Sequence, residues 1–294
     1  MPSMSARLRE LLARDEILMA PGAHDALTAR IAEVSGFEAV YLTGAGTANT
    51  QLGMPDHSMI TLTEIVQSAT RMARATTLPI VSDADTGYGG VLNVMRTVRE
   101  FQLAGIAGIH IEDQVMPKRC GHLKGKEIIP IEEMMGKIRA ACHARTDPDF
   151  LIIARVDARA TLGFDQAVRR GKAYMEAGAD MIFPEALESE EEFRDFARQV
   201  AAPLLANMTE YGKTPYLTAA RFQDLGYRMV IYPVSAMRVA IKAIYDLFTE
   251  IRRTGTQKQS LKHMFTRDQL YDLIGYHEML ELEKQFSGKA SEEM

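Results

Sequence analysis

Eight short apolar runs, the amphipathic stretches that separate them and a chain of 294 residues predict an α/β fold, a (β/α)8 TIM barrel with extra helices at its C-terminal end. The runs cover residues 17–20, 39–42, 78–81, 108–111, 151–154, 181–183, 204–206 and 229–232. They are too short and too uniformly apolar for strands with one wet face, and they suit parallel strands covered by helices. Amphipathic stretches at 65–75, 91–104, 131–144, 164–177 and 190–200 fill the gaps, several closing on an Ala-Gly pair that suits a helix C-cap. A doubly wound open sheet is the alternative for this alternation.

The predicted barrel occupies one domain, and residues 234–294 hold more helix than one barrel unit requires. A break falls at Arg253-Thr-Gly-Thr256, and a second helical stretch runs from residue 266 to about 285. Its Leu270, Ile274, Met279 and Leu282 need a surface to bury against, so the tail reads as an oligomerisation element. The alternative is a helix folded back over its own barrel bottom. Composition narrows the partners. A formal net charge of −5 offers no basic excess for nucleic acid or an anionic membrane. No apolar stretch is long enough to cross a bilayer, and residues 1–16 lack a continuous apolar run, which places the protein in the cytoplasm. The two cysteines, Cys120 and Cys142, have no zinc-type spacing and build no disulfide framework.

Catalytic groups of such barrels sit where strands end, and these ends are polar. Strand two closes on Tyr41-Leu-Thr-Gly-Ala-Gly-Thr47, strand three on Asp83-Ala-Asp-Thr-Gly-Tyr-Gly89 and strand four on Glu112-Asp113. Strands five, six and seven close on Arg155-Val-Asp157, Glu185 and Asn207-Met-Thr-Glu210. Asp83, Asp85, Glu112 and Asp113 would repel one another without a cation. Carboxylate ligands with no His or Cys partner favour Mg2+ or Mn2+. Thr43-Gly-Ala-Gly46 offers backbone N–H groups to a carboxylate or oxyanion, and the Arg155 fork can clamp a carboxylate or instead pair with Glu112 or Glu185.

Lys118-Arg-Cys-Gly-His-Leu-Lys-Gly-Lys126 is the most distinctive stretch. Four cations and a histidine flank one cysteine, surroundings that stabilise a thiolate, and glycines 121 and 125 let the segment move. The catalytic candidates are therefore Cys120 with Lys118, Arg119 and His122 about it, and Tyr41 at the end of strand two. Cys142 reads as a small core residue.

Lys118-Arg-Cys-Gly-His122, Asp83-Ala-Asp-Thr-Gly-Tyr-Gly89 and Glu112-Asp-Gln114 together resemble the isocitrate lyase/phosphoenolpyruvate mutase superfamily over nearly the whole chain. The resemblance implies a barrel whose last helix is swapped with a neighbour, a homotetramer built as a dimer of dimers, a bound Mg2+ and a small carboxylate substrate. It implies that the loop cysteine moves a proton. It further implies Asp85 as direct metal ligand, Asp56, Asp83 and Glu112 on metal-bound waters, and Thr43, Gly44, Ala45 and Arg155 on the carboxylate of a keto acid. Three positions depart from the pattern: Thr43 stands where many members have Ser, Ala45 where methylisocitrate lyases have Gly, and Val156 where Thr is usual.

Phe183-Pro-Glu-Ala186, Asn207-Met-Thr-Glu-Tyr-Gly212 and Tyr232-Pro-Val-Ser-Ala-Met-Arg238 are most similar to the 2-methylisocitrate lyase branch, which yields pyruvate and succinate. There Glu185, Asn207 and Arg238 would face the succinate carboxylates. Leu123 after Cys-Gly-His instead resembles dimethylmalate lyase and carboxyphosphonoenolpyruvate mutase, and oxaloacetate-hydrolysing relatives stay open. The expected activity is cleavage of a carbon–carbon bond in a 2-hydroxy di- or tricarboxylate.

Overall fold

The computed structural model describes residues 3–122 and 125–287; Leu123 and Lys124 of the cysteine loop lie outside the described residues. The chain forms two compact units, divided between Met237 and Arg238. In the first, the eight expected runs become parallel strands: β1 Leu18–Ala23, β2 Val40–Leu42, β3 Ile80–Asp83, β4 Gly108–Glu112, β5 Leu151–Val156, β6 Met181–Pro184, β7 Leu205–Asn207 and β8 Met229–Tyr232. Their order is β6-β5-β4-β3-β2-β1-β8-β7, and a parallel bridge between Ile182 and Leu204 brings the two ends together. The sheet is a nearly closed barrel rather than an open doubly wound sheet.

Helices follow the strands: α1 Met4–Leu12, α2 Ala26–Val34, α3 Gly44–Thr47, α4 Leu62–Ala75, α5 Val91–Leu103, α6 Ile131–Ala144, α7 Arg159–Leu162, α8 Phe164–Glu176, α9 Glu190–Gln199 and α10 Ala219–Asp224. Alternation explains where each strand residue goes. Val40, Leu42, Ile109, Ile111, Ile152 and Ala154 face the helices and join one core. Tyr41, Val81, Leu151, Ile153, Phe183 and Ile231 fill the barrel interior as a second core, in the layered manner of such barrels. The short α1 completes that second core. Its Leu8 and Leu11 are buried against the interior layer, and Arg9 holds it there by donating to the Asp149 carbonyl at 2.8 Å and to Asp180 Oδ1 at 2.9 Å. The barrel bottom is therefore closed by the chain's first helix.

The second unit continues α11 (Ser235–Thr254), which crosses the division, through a 3-10 turn to α12 (Arg267–Ile274) and α13 (Tyr276–Ser287). One expected helix is thus two, because Gly275 takes a left-handed φ of 73° that ends α12. The second unit leaves Val239, Tyr245, Phe248, Phe265, Met279 and Phe286 exposed, and α12 and α13 contain no buried residue. Among the described residues no helix is long and apolar enough to cross a membrane.

Candidate active site

The strand ends converge on one rim of the first unit. Period-two alternation points Tyr41, Asp83, His110, Glu112 and Arg155 inward, and all five are buried. The same alternation corrects one expectation. Asp113, the neighbour of Glu112, does not join the carboxylate cluster; its Oδ2 accepts from Arg170 at 3.0 Å and Tyr174 at 2.7 Å, and its Oδ1 from the Asp157 N–H.

The ligand atoms that lie within 4.8 Å of one another belong to Asp83, His110 and Glu112. His110 escaped the sequence reading, although its place two residues before Glu112 on one strand was the available signal. Its Nε2 pairs with the Tyr41 hydroxyl at 2.8 Å and lies 3.7 Å from Asp83 Oδ1, while burial pushes its pKa down to about 4, leaving the ring neutral at neutral pH. Burial also drives the Tyr41 phenol well above its ordinary value, with Asp83 adding to the effect.

Asp85 sits two residues on, in a left-handed conformation with φ 46° that strains any non-glycine residue. Its N–H donates to Asp83 Oδ1 at 2.9 Å. Lys118 reaches it at 3.1 Å and simultaneously grips Asp56, so the cation directly before the cysteine segment neutralises acids from two other loops. Burial nonetheless raises the Asp85 carboxyl to about 6, Lys118 opposing and Asp83 and Asp56 reinforcing the shift. Burial raises Glu112 well above the carboxylate range despite Arg155 and Lys118. Asp85 Oδ2 and both Glu112 oxygens are buried without a hydrogen-bond partner. Buried acceptor atoms of this kind are costly unless a cation or its waters meet them, so the donor set fits a hard divalent cation.

Arg155 is already engaged. Its Nε and Nη2 donate to Asp157 at 2.9 and 3.1 Å, leaving Nη1 to stand 3.1 Å from Glu112 Oε2 as an ion pair without hydrogen-bond alignment. Glu185 lies 3.5 Å from Nη2, accepts from Asn207 at 3.1 Å and is 3.4 Å from His122 Nε2. Burial opposes ionisation of Glu185, but Arg155 and His122 hold its pKa below the ordinary value.

The cysteine segment lies over this group. Gly121 is so close that a Cβ there would stand 2.2 Å from Glu185 Oε1 and 2.5 Å from Arg155 Nη2. His122 Nδ1 accepts the Lys213 N–H at 3.0 Å, tying the segment to the loop after β7. Gln114 clamps the main chain of exposed Arg119 with two bonds of 2.9 Å, and Ser58 accepts the Lys118 N–H at 2.8 Å. The expected thiolate does not follow. Lys118 and Lys126 spend their charge on Asp56, Asp85 and Asp157, and burial together with Glu185 pushes the Cys120 thiol above its ordinary pKa.

Thr43 caps α3 by accepting the Gly46 N–H at 3.1 Å, and a Cβ on Gly44 would stand 2.6 Å from Asp83 Oδ2, so this turn packs directly on the carboxylates. Half-exposed Ala45 follows in the same turn. Arg238 is the first residue of the second unit, on α11.

Residues 8–252 match the family model described as phosphoenolpyruvate phosphomutase. The chain belongs to that family. Among curated members, the 2-methylisocitrate lyase of Aeropyrum pernix is 52% identical over 97% of this chain and 92% of its own. The 2,3-dimethylmalate lyase of Eubacterium barkeri is 47% identical over 96% of this chain and 98% of its own. Of solved structures, oxaloacetate acetylhydrolase bound to 3,3-difluorooxalacetate superposes with a TM-score of 0.92 at 34% identity, covering 98% of this chain and 99% of that one. Phosphonopyruvate hydrolase in complex with oxalate and Mg2+ gives 0.88 at 32% identity, covering 97% and 99%.

Proposed function

We propose that the chain is a carbon–carbon lyase that cleaves 2-methylisocitrate to pyruvate and succinate. What carries the reading is the placement of a protonated thiol segment over Arg155 and Glu185, beside buried carboxylates that lack partners. The 52% identity to a 2-methylisocitrate lyase supports the choice of substrate.

The pyruvate half takes its carboxylate to the Thr43 hydroxyl, to the main-chain N–H groups of Gly44 and Ala45 and to Arg155, the Thr43 N–H being held by the Ala23 carbonyl. Arg155 is fully charged, and Asp157 fixes its guanidinium plane. A base takes the C2 hydroxyl proton, the C2 oxygen becomes the keto oxygen of pyruvate, and as the bond to C3 breaks its electron pair stays on C3. The Cys120 thiol then donates its proton to C3, giving succinate, with Glu185 and Asn207 beside its carboxylates. A thiol pKa above the ordinary value keeps that proton in place at neutral pH, as a general acid requires. Lys118 holds Asp56 and Asp85, His122 stands beside Glu185 and Tyr41 beside His110, so that these three, with exposed Arg119, set the charge and hydrogen bonding around the site.

Asp85, Asp56, Asp83 and Glu112 would hold Mg2+ or Mn2+, which would supply positive charge against the oxygens of the keto-acid half. Phosphonopyruvate hydrolase, which shares the fold at 32% identity, carries Mg2+ together with oxalate. The active form is a cytoplasmic homotetramer, a dimer of dimers in which the apolar faces of the second unit are covered by neighbouring chains.

The test is turnover of 2-methylisocitrate, isocitrate, 2,3-dimethylmalate and oxaloacetate by the purified protein. The highest kcat/KM is expected for 2-methylisocitrate, with activity lost in EDTA and restored by Mg2+ or Mn2+. Preference for 2,3-dimethylmalate would overturn the substrate assignment, and full turnover in EDTA would overturn the metal.

A further inference from the structure

Two buried charges, Lys126 at the end of the cysteine segment and Asp157 behind Arg155, are paired with each other, and the reaction above uses only the bonds from Asp157 to Arg155. The side chains of Lys126 and Asp157 are both 0% exposed, with Nζ 2.8 Å from Oδ1. Lys126 Nζ also donates to the main-chain carbonyl of Gly121, the residue after Cys120. The same Asp157 carboxylate orients Arg155, and its own N–H is anchored on Asp113, which Arg170 and Tyr174 hold from behind. One carboxylate therefore links the arginine below the reacting carbons to the main chain that carries the thiol above them.

An ammonium is poorly suited to space-filling, because its desolvation must be offset by every bond it makes. Lys126 makes its two bonds to a rigid anchor and to the peptide that sets the thiol's height. Gly121 packs against Glu185 and Arg155 with no room for a Cβ, so a shift of that peptide moves Cys120 relative to both.

We propose that Lys126 and Asp157 are positioning residues that set the Cys120 thiol at a fixed distance from Arg155, and so from the carbon it protonates. The inference rests on Cys120 as proton donor, but its first readout does not need the reaction. In a Cys142→Ala background, iodoacetamide alkylation of Cys120 is compared for Lys126, Lys126→Met and Lys126→Arg, alongside kcat, KM, pyruvate affinity by calorimetry and melting temperature. Lys126→Met is expected to alkylate faster and to lose kcat on the order of 10²-fold, the effect of misplacing a reacting group by about 1 Å. Pyruvate affinity should change little, and Lys126→Arg, which restores the donors, should recover part of both effects.

Unchanged alkylation and kcat in folded Lys126→Met would overturn the proposal. So would a parallel fall in kcat, pyruvate affinity and melting temperature, the mark of a general structural role. If Lys126→Met does not fold, Lys126→Gln, which keeps a donor for one acceptor, is judged by the same two criteria. Failure of the unmodified protein to cleave 2-methylisocitrate would remove the proposed reaction, while the alkylation comparison would still decide whether Lys126 positions the thiol.

Discussion

Cys120 shows how a residue's neighbours in sequence differ from its neighbours in space. Lys118, Arg119, His122 and Lys126 suggest an electropositive loop, yet two of these cations are consumed by acids, and burial with the charge of Glu185 acts on the thiol. Its pKa is raised, so the thiolate becomes abundant only at pH values above those of an ordinary cysteine. The pH midpoint for iodoacetamide alkylation should accordingly lie above that of a model thiol, and Glu185→Gln, by removing a negative charge that raises it, should move the midpoint down. A midpoint below the ordinary value would contradict the geometry. If the thiol is the proton donor, Cys120→Ser should lower kcat by roughly 10²–10⁴-fold, the usual contribution of a positioned acid, and leave pyruvate affinity near that of the unmodified protein.

Among the elements, the strands were legible because burial on both faces leaves an unambiguous apolar run, and every expected run lies on or within a residue or two of a strand. Alternation along β4 separates Glu112, which faces the rim, from Asp113, which faces α8. That distinction was encoded in the period of two, but reading the strand end as one polar cluster obscured it. The first helix was not legible in this way. Nine residues with a modest amphipathic pattern look like a surface segment, and only the closed barrel creates the opening that Leu8 and Leu11 fill. Leu8→Ala should therefore cost about 2–5 kcal/mol, the range for a fully buried leucine. Denaturant unfolding measures this, and kcat of the folded protein, whose reacting groups sit at the opposite rim, should stay close to unmodified.

At the scale of the whole molecule, the second unit leaves its apolar residues largely exposed, with no buried residue in α12 or α13, so these faces need a cover. Its exposed Tyr245 and Phe248 lie on α11, where charge would be costly inside an interface but harmless in water. Sedimentation should give a mass four times the 32.7 kDa chain, and Tyr245→Glu combined with Phe248→Glu should shift it to smaller species. A monomeric unmodified protein would refute the assembly.

The pattern of apolar runs and the polar residues that close them determined the barrel, the rim and most of the residues gathered there, because burial imposes its period locally and strand order then follows from short connections. Tertiary structure alone decided which carboxylates face one another, that His110 joins them and that the thiol stays protonated. It alone decided that Lys126 and Asp157, thirty-one positions apart, share one buried bond. Those outcomes depend on desolvation and on distances between residues far apart in the chain, and neither quantity is carried by spacing along a sequence.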